Sequence, residues 1–344
     1  MNNKYLNRLW QKGAEFLGTE YAIMCGAMSW VSEHNLVAAI SNAGGFGVIA
    51  CGAMTPDLLL KEIQLTKQNT SKPFGVNLIT MHPMIEELIG ICIEQKVSHI
   101  VLAGGLPKSS SIKALKNQGV KVICFAPALS LAKRLVKLGV DALIIEGMEA
   151  GGHIGPVSAS VLAQEILPHI KEVPVFIAGG IGTGEAIANY LNMGASGCQL
   201  GTRFVCSRES IAHPNFKQAF IKANARDAVA SVQIDPEFNV IPVRALMNKS
   251  TDEFTKVQIE AIEQYKKGEL SKIDAQLKIE KFWAGALRRA IIDGDIETGS
   301  IMAGQSVGMV KEEQTVKEIL DELVLQSETA LERVYSQQLI STTL

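Results

Sequence analysis

Short apolar segments alternate with segments of helical periodicity through the first 200 residues, and this alternation restricts the fold more than any other feature. The apolar segments end in Gly, Asn or Pro, as strands do before loops. The segments between them, such as 55–68 and 131–138, space Leu, Ile and Ala at helical intervals. We predict eight strands, at residues 21–24, 47–50, 74–78, 99–102, 122–125, 142–145, 175–178 and 197–200.

These strands are continuously apolar, which indicates burial on both faces and hence a parallel sheet covered by helices. Eight βα units favour a closed (β/α)8 TIM barrel of the α/β class. An open, doubly wound sheet is the alternative, but no GxGxxG motif follows the first strand. Glycine-rich turns instead follow several strands, as they do when loops converge at one barrel mouth.

The alternation ends near residue 205, which predicts a division of the chain into three parts. Residues 1–205 form the barrel. Residues 206–292 are charged, helical and longer than a crossover needs, so we interpret them as an inserted helical lid or substrate domain. Residues 293–344 hold a glycine-rich loop, which we expect to cover a cofactor, and a C-terminal amphipathic helix that returns to the barrel.

The charge balance indicates which partners to expect. With 33 basic and 35 acidic residues, the chain has no net field that would attract nucleic acid or a membrane surface, so a small-molecule substrate is expected. The N-terminus lacks the apolar stretch of a signal peptide, and no long apolar segment follows, so we expect a cytoplasmic protein. The six cysteines lack CxxC spacing, and we expect reduced core thiols and no metal site.

Two consecutive loops have the composition of a phosphate site. Residues 177–184, with Gly179 and Gly180, end the seventh strand and precede a helix, so backbone N–H groups and the helix N-terminus can receive a phosphate. Residues 199–202 (Gln-Leu-Gly-Thr) at the end of the eighth strand can receive the phosphate in the same way. Tight packing of helices on strands is the alternative reason for these glycines.

The loop after the sixth strand, residues 146–155, surrounds one histidine with four glycines. The glycines let the backbone approach a flat ligand, and the His153 imidazole can act as base, acid or hydrogen-bond donor near neutral pH. A structural histidine in a surface loop is the alternative. Asn77, near the end of the third strand, could bond a heterocycle edge or cap a turn. Gly304 and Gln305 lie in the loop that we expect to cover the cofactor.

These motifs together resemble the nitronate monooxygenase (2-nitropropane dioxygenase) family and its relative, the FMN-dependent enoyl-acyl carrier protein reductase II. The resemblance covers nearly the whole chain. It is carried by Gly26-Ala-Met28, Ser41-Asn-Ala-Gly-Gly45, Lys72-Pro-Phe-Gly-Val-Asn77, Glu149-Ala-Gly-Gly-His153, Ala178-Gly-Gly-Ile181, Gln199-Leu-Gly-Thr-Arg-Phe204 and Met302-Ala-Gly-Gln305.

The resemblance implies an FMN flavoprotein in which His153 is the active-site histidine over the flavin. The expected FMN-binding residues, which include those of the two phosphate loops, are Ala27, Met28, Asn77, Glu146, Gly151, Gly179, Gly180, Gln199, Leu200, Gly201, Thr202, Gly304 and Gln305. One position departs from the family pattern: Cys25 stands where the family usually has glutamine.

The first functional hypothesis is oxidation of alkyl nitronates by FMN and O2. It is favoured by the segment Gly105-Leu-Pro107, which resembles the corresponding segment of the monooxygenases. The alternative is NAD(P)H-dependent reduction of an enoyl thioester on acyl carrier protein in fatty-acid synthesis. Glu146 and Ile154, which replace the usual glutamine and arginine of the monooxygenases, resemble the reductase. A flavin-free lyase or isomerase barrel for a phosphate-bearing ligand is the third hypothesis, and a silent flavin-binding module is the fourth.

Docking of acidic acyl carrier protein requires a basic patch, for which we expect Lys217, Lys222, Arg226, Arg288 and Arg289 if they cluster. An apolar face on the lid helices suits a homodimer, and burial of that face against the barrel is the alternative.

Overall fold

Eight parallel strands form the centre of the computed structural model, which describes residues 4–52, 54–235, 238 and 240–341. The barrel strands in chain order are β1 (Ile23–Cys25), β2 (Gly47–Ala50), β3 (Phe74–Ile79), β4 (His99–Ala103), β5 (Lys121–Phe125), β6 (Ala142–Glu146), β8 (Val175–Ala178) and β9 (Gly197–Leu200). The two-residue β7 (Gly152–His153) lies between β6 and β8 in the chain and belongs to a second sheet. Each of the eight predicted strands overlaps one of these strands.

The strand order closes the sheet into a barrel. Neighbouring strands run β1-β9-β8-β6-β5-β4-β3-β2, all parallel. A bridge between Met24 and Phe46 joins the two ends, with hydrogen bonds from Cys25 N to Phe46 O and from Phe46 N to Ile23 O, each 2.9 Å long. The predicted TIM barrel is therefore confirmed, and the open sheet is excluded.

Helices cover the outside of the barrel. They are α1 (Lys4–Leu17), α2 (His34–Asn42), α3 (Pro56–Asn69), α4 (Ile85–Glu94), α5 (Ser109–Asn117), α6 (Leu129–Leu138), α7 (Ala159–Ile166) and α8 (Gly184–Asn192). Only the short α9 (Thr202–Val205) follows β9, and the last helix, α13 (Val316–Ser341), packs against α8, α1 and α2 instead. The contact is close, since a Cβ at Gly184 would lie 2.1 Å from Leu323 O.

The chain between α9 and α13 forms a layer beyond the mouth. Its elements are α10 (Pro214–Lys222), β10 (Ala228–Ala230), β11 (Val243–Leu246), α11 (Lys249–Lys266), α12 (Lys272–Arg288), a π-helical turn (Arg289–Asp293), β12 (Ile301–Met302) and a 3₁₀ turn (Gln305–Met309). A second core surrounds Phe254 and Trp283, whose ring centroids lie 4.1 Å apart. The domain limits at 205 and 292 stay a prediction.

This layer also contains a small antiparallel sheet that the sequence analysis does not predict. Strand β11 pairs with β10, β12 and β7, so the loop after β6 joins the sheet of the inserted segment. These strands have two to four residues, which is too short for a periodic pattern to identify. None of the helices in the described part of the chain combines the length and apolarity that a membrane crossing requires.

Candidate active site

The carboxyl ends of the barrel strands form a mouth, where loops from both ends of the chain meet. Because all eight strands are parallel, the loops that follow them lie at this one end. Most of the predicted cofactor residues are found there, on the loops after β1, β6, β8 and β9 and on the segment that follows β12. Their ligand contacts stay predictions, and their contacts with each other are described below.

The loop after β6 packs against the segment that follows β12. The N–H of Gln305 donates to Glu149 O at 2.9 Å, and the N–H of Gly304 donates to Thr202 Oγ1 at 3.1 Å. A Cβ at Gly151 would lie 2.5 Å from Gly304 N, which is closer than packed atoms approach. The backbones of these loops are therefore in direct contact, as the prediction of a covering loop requires.

The loop after β8 contains two successive glycines in the left-handed region, Gly179 at φ 88° and Gly180 at φ 73°. A side chain at Gly180 would meet Glu149 Cβ at 2.9 Å, so this loop also packs on the loop after β6. The N-terminus of α8 is partly occupied by protein, because Gly184 N–H donates to Gln326 Oε1 at 2.7 Å. The N-terminus of α8 therefore has fewer free backbone N–H groups for an anion than the sequence suggests. The backbone N–H groups of the glycine loop are the other donors that we expect to bind a phosphate.

The loop after β1 lies against the end of β9. Gly26 N–H donates to Leu200 O at 2.8 Å, and a Cβ at Gly26 would lie 3.5 Å from Gln199 Nε2. Ser32 holds the loop in shape, since its Oγ accepts from Met28 N at 3.0 Å and donates to Gly26 O at 2.9 Å. These hydrogen bonds hold the backbone around Ala27 in place.

Cys25 lies below this loop and is fully buried. Its Sγ donates to Gly26 O at 3.4 Å and lies 3.9 Å from Ser32 Oγ. Burial raises the pKa of its thiol to about 12, and the contact with Ser32 acts in the opposite direction. Cys25 is therefore a neutral thiol at physiological pH. All six cysteines are buried and free of disulfide bonds.

Glu146 is the last residue of β6, where it is paired with Ala178 of β8. Burial raises the pKa of its carboxyl group to about 7, and the charge that His153 can carry lowers it. The carboxylate accepts no hydrogen bond in the described part of the chain. A carboxyl group in this setting can exchange a proton near neutral pH or accept a hydrogen bond from a bound heterocycle.

Asn77 lies within β3 rather than at its end, since the strand continues to Ile79 and pairs with Ala103 there. The predicted strand, at 74–78, is thus one residue shorter than the observed strand, because Ile79 continues the pairing. The side chain does not cap a turn either, because its Nδ2 donates to Val101 O at 3.2 Å on the neighbouring strand. Its amide oxygen makes no hydrogen bond in the described part of the chain.

His153 lies in β7, where backbone pairing with Val243 holds it between the barrel and the inserted layer. The next residue continues this attachment, since Ile154 N–H donates to Pro242 O at 3.0 Å. The imidazole is 44% exposed, and its Nε2 lies 3.2 Å from the carboxylate of Glu280 on α12. The ring is thus accessible to solvent, and Glu280 is its charged partner among the described residues.

The remaining histidines have local structural contacts or lie exposed on the surface. His99, at the first residue of β4, bonds Ser98 Oγ at 2.9 Å and Phe16 O at 3.0 Å. His34 Nδ1 lies 2.8 Å from Glu33 and 2.9 Å from Glu62 at the start of α2. His82 and His213 accept backbone N–H groups two residues further on, and His169 is exposed.

Two residues at the mouth were missed by the sequence analysis. Arg244 is 5% exposed, and its guanidinium donates to Met148 O at 3.0 Å and to Ala228 O at 2.6 Å, which ties β11 to the loop after β6. Glu280 contacts His153 from the inserted layer. Met148 is 96 positions from Arg244 in the chain, and His153 is 127 positions from Glu280. No local sequence pattern could therefore have identified these two contacts.

A pocket of about 260 Å³ opens between the loops after β3 and β4. It is lined mainly by apolar side chains, including Met81, Ile85 and Leu106, together with Pro107 and the backbone of Gly104. The segment that resembles the monooxygenases, Gly105-Leu-Pro107, therefore forms one wall of this pocket.

Comparison with known proteins agrees with this architecture over most of the chain. The solved structure of FabK from Thermotoga maritima superposes with a TM-score of 0.84 at 37% identity, covering 94% of this chain and 98% of that one. The nitroalkane oxidase of Streptomyces ansochromogenes has the same fold, with a TM-score of 0.74 at 22% identity over 93% of this chain and 99% of that one.

A curated relative from Rhodococcus jostii (strain RHA1) is 30% identical over 340 residues, 90% of this chain and 93% of its own length. Its name is (3aS,4S,5R,7aS)-5-hydroxy-7a-methyl-1-oxo-octahydro-1H-indene-4-carboxyl-CoA dehydrogenase. A family model described as nitronate monooxygenase matches residues 11–89 and 85–326. The chain therefore belongs to the nitronate monooxygenase family of oxidoreductases.

Proposed function

We propose that this protein is an FMN-dependent oxidoreductase that reduces the carbon–carbon double bond of an enoyl thioester, with NADH or NADPH as electron donor. The observation that carries the proposal is the full-length similarity, at 37% identity, to FabK, an enoyl-acyl carrier protein reductase II. The Rhodococcus relative is named as a dehydrogenase of a carboxyl-CoA, which is also a thioester.

The geometry of the mouth fits a flat cofactor with a phosphate group. The contact of Gly151 with Gly304 provides backbone without side chains, against which a ring system can lie. Gly179, Gly180 and Thr202 are the groups that we expect to hold the phosphate. FMN bound here would supply the hydride, and the protein would supply position and electrostatics.

We assign the proton transfer to His153. Reduction of an enoyl thioester adds a hydride to the β-carbon and a proton to the α-carbon, so the site needs an acid near the substrate. His153 is exposed at the mouth, and its charge acts on the pKa of Glu146, which indicates that the two groups are near each other. We expect Glu146 to bond the flavin or to exchange a proton with it.

Coenzyme A is the carrier that the surface charges favour over acyl carrier protein. Of the five basic residues expected to form the docking patch, Lys217 is 5% exposed, and its ammonium donates to Ser207 O. Arg288 and Arg289 are in ion pairs with Asp293 and Asp295. Lys222 and the exposed Arg226 are what remains of the five-residue patch that docking of acyl carrier protein was expected to use.

Oxidation of alkyl nitronates by O2 is the second candidate. It is favoured by the description of the matching family model and by the wall that Gly105-Leu-Pro107 contributes to the apolar pocket. In that reaction His153 would orient the nitronate or act as its base.

Anaerobic reduction of the purified protein tests the proposal, with flavin absorbance as the measurement and NADH, NADPH and propyl nitronate as donors. Rapid bleaching by a nicotinamide, followed by reoxidation on addition of crotonyl-CoA, is the expected result. Bleaching by the nitronate alone would replace the proposal with the second candidate.

Two further outcomes correspond to the third and fourth hypotheses. A colourless protein that binds no added FMN would favour a flavin-free barrel for a phosphate-bearing ligand. Bound FMN that no donor reduces would favour a silent module.

A further inference from the structure

Helix α12 contacts the mouth of the barrel at two points. Glu280 contacts His153 on the loop after β6, and Arg288 lies 5.9 Å over the ring of Trp30 on the loop after β1. These two residues are eight positions apart, about 12 Å along the helix axis. Ala275, Ile279 and Trp283 of the same helix are buried in the second core. The helix is thus attached at two points of the mouth and at its own core.

The contact with Glu280 determines which ring nitrogen of His153 carries the hydrogen. Nε2 lies 3.3 Å from Oε1 and 3.2 Å from Oε2 of Glu280. An ionised carboxylate can only accept, so Nε2 must donate. Nδ1 has no hydrogen-bond partner in the described part of the chain, and it is therefore the nitrogen left for a substrate.

We propose that Glu280 is a positioning residue, which holds the Nε2–H of His153 and thereby makes Nδ1 the nitrogen that exchanges a proton with the substrate. The proposal rests on the proposed function in one respect, the role of His153 as acid. In the reduction, the N–H bond at Nδ1 breaks as the C–H bond at the α-carbon forms, and solvent returns the proton to Nδ1. FMN, if bound at the mouth, would supply the hydride that the β-carbon gains, with the nicotinamide as the reductant.

The ion pair between His153 and Glu280 adds little to folding stability, because both side chains are nearly half exposed. Its effect is to restrict the ring. The backbone of His153 is fixed by pairing with β11, and Glu280 fixes the remaining rotation of the side chain. Because Glu280 lies on the inserted layer, the orientation of the imidazole depends on the position of that layer over the barrel.

A double-mutant cycle between Glu280→Ala and His153→Ala, measured on the FMN-loaded protein, tests the proposal. We expect Glu280→Ala to lower kcat roughly tenfold with little change in KM, and Glu280→Gln to lower it less because the amide oxygen still accepts. In the His153→Ala background, Glu280→Ala should have no further effect. The matched control is Glu269→Gln in the turn between α11 and α12, whose exposed carboxylate makes no hydrogen bond or ion pair in the described part of the chain.

Nitrogen NMR of protein labelled with ¹⁵N-histidine provides a readout that is independent of turnover. The signals of His153 are those lost in His153→Ala, and we expect the neutral ring to carry its hydrogen on Nε2 in the wild type and to become a tautomer mixture in Glu280→Ala. An unchanged tautomer, or an equal loss of kcat in the His153→Ala background, would overturn the proposal. If crotonyl-CoA is not reduced at all, the proposed function fails, while the NMR comparison still decides the role of Glu280.

Discussion

The two ends of the barrel differ in how they bond an ionisable side chain. His99, the first residue of β4, lies at the floor and has hydrogen bonds to both ring nitrogens, with the rings of Phe16 and Phe46 against its own. Glu146, the last residue of β6, lies at the mouth, and its carboxylate has no hydrogen bond in the described part of the chain. The polar atoms of His99 are therefore satisfied within the barrel, whereas the carboxylate of Glu146 has no hydrogen-bond partner among the described residues.

Burial opposes charge at both ends, but the two pKa values move in opposite directions. Burial lowers the pKa of His99 to about 4 and raises that of Glu146 to about 7. Both residues are therefore held in their neutral forms by the same cause. The difference lies in function, since a neutral histidine with two hydrogen bonds stabilises the barrel and a carboxyl group that titrates near pH 7 can take part in chemistry.

Replacement of the mouth histidine, His153→Ala, should have the largest effect on activity. We expect kcat to fall roughly 10²- to 10⁴-fold, because a general acid is lost. Flavin content and the unfolding midpoint should stay as in the wild type, since the only polar side-chain partner of His153 in the described chain is Glu280. His169→Ala, at an exposed position, is the control. Unchanged turnover in His153→Ala would remove this residue from the mechanism.

Replacement of a mouth glycine, Gly151→Ala, should weaken FMN binding by about 100-fold. The added Cβ would lie 2.5 Å from Gly304 N and 2.6 Å from Ala303 C, so the two loops must separate. Titration of flavin fluorescence with the apoprotein measures this change. Gly155→Ala is the matched control in the same loop, because a Cβ there meets nothing within 4 Å. Equal affinities of the two variants would contradict the expected loop contact.

At the floor, His99→Gln should remove a dependence of stability on pH and leave flavin binding unchanged. The folded-state pKa of His99 is about 4 and its ordinary value is 6.5, so between these values the unfolded chain binds more protons. Stability contributed by neutral His99 is present above pH 6.5 and lost as the pH falls to 4, by roughly 2–3 kcal/mol. Urea unfolding of flavin-free protein at several pH values measures the difference. A parallel loss in both proteins would show that His99 does not cause it.

At the mouth, Glu146→Gln should change the pH dependence of stability in the opposite sense. The folded-state pKa is about 7 against an ordinary 4.5, so the folded chain binds more protons between these values. The stabilising effect of the protonated carboxyl is present below pH 4.5 and is lost as the pH rises to 7, by roughly 2–3 kcal/mol, as for His99. Glu165→Gln, at an exposed position on α7, is the control in the same unfolding series. The prediction fails if Glu146→Gln and wild type show the same slope.

The sequence predicted the barrel because its strands are buried on both faces and therefore read as continuous apolar segments. Three predicted strands, at 47–50, 175–178 and 197–200, coincide with β2, β8 and β9. The small sheet of β10, β11 and β12 was not predicted, since its strands are short and its pairing is antiparallel and distant. The third strand was predicted to end at residue 78, and pairing of Ile79 with Ala103 of β4 extends it by one residue.

Local patterns by themselves determined the barrel, the glycine-rich loops and the isolated position of His153 between glycines, because each depends on residues that are close in the chain. Only the tertiary structure decided that Gly304 meets Gly151, that Gln326 occupies the start of α8, and that Glu280 holds His153. Each of these contacts joins residues more than a hundred positions apart, and such pairs are brought together by closure of the barrel and packing of the inserted layer over its mouth.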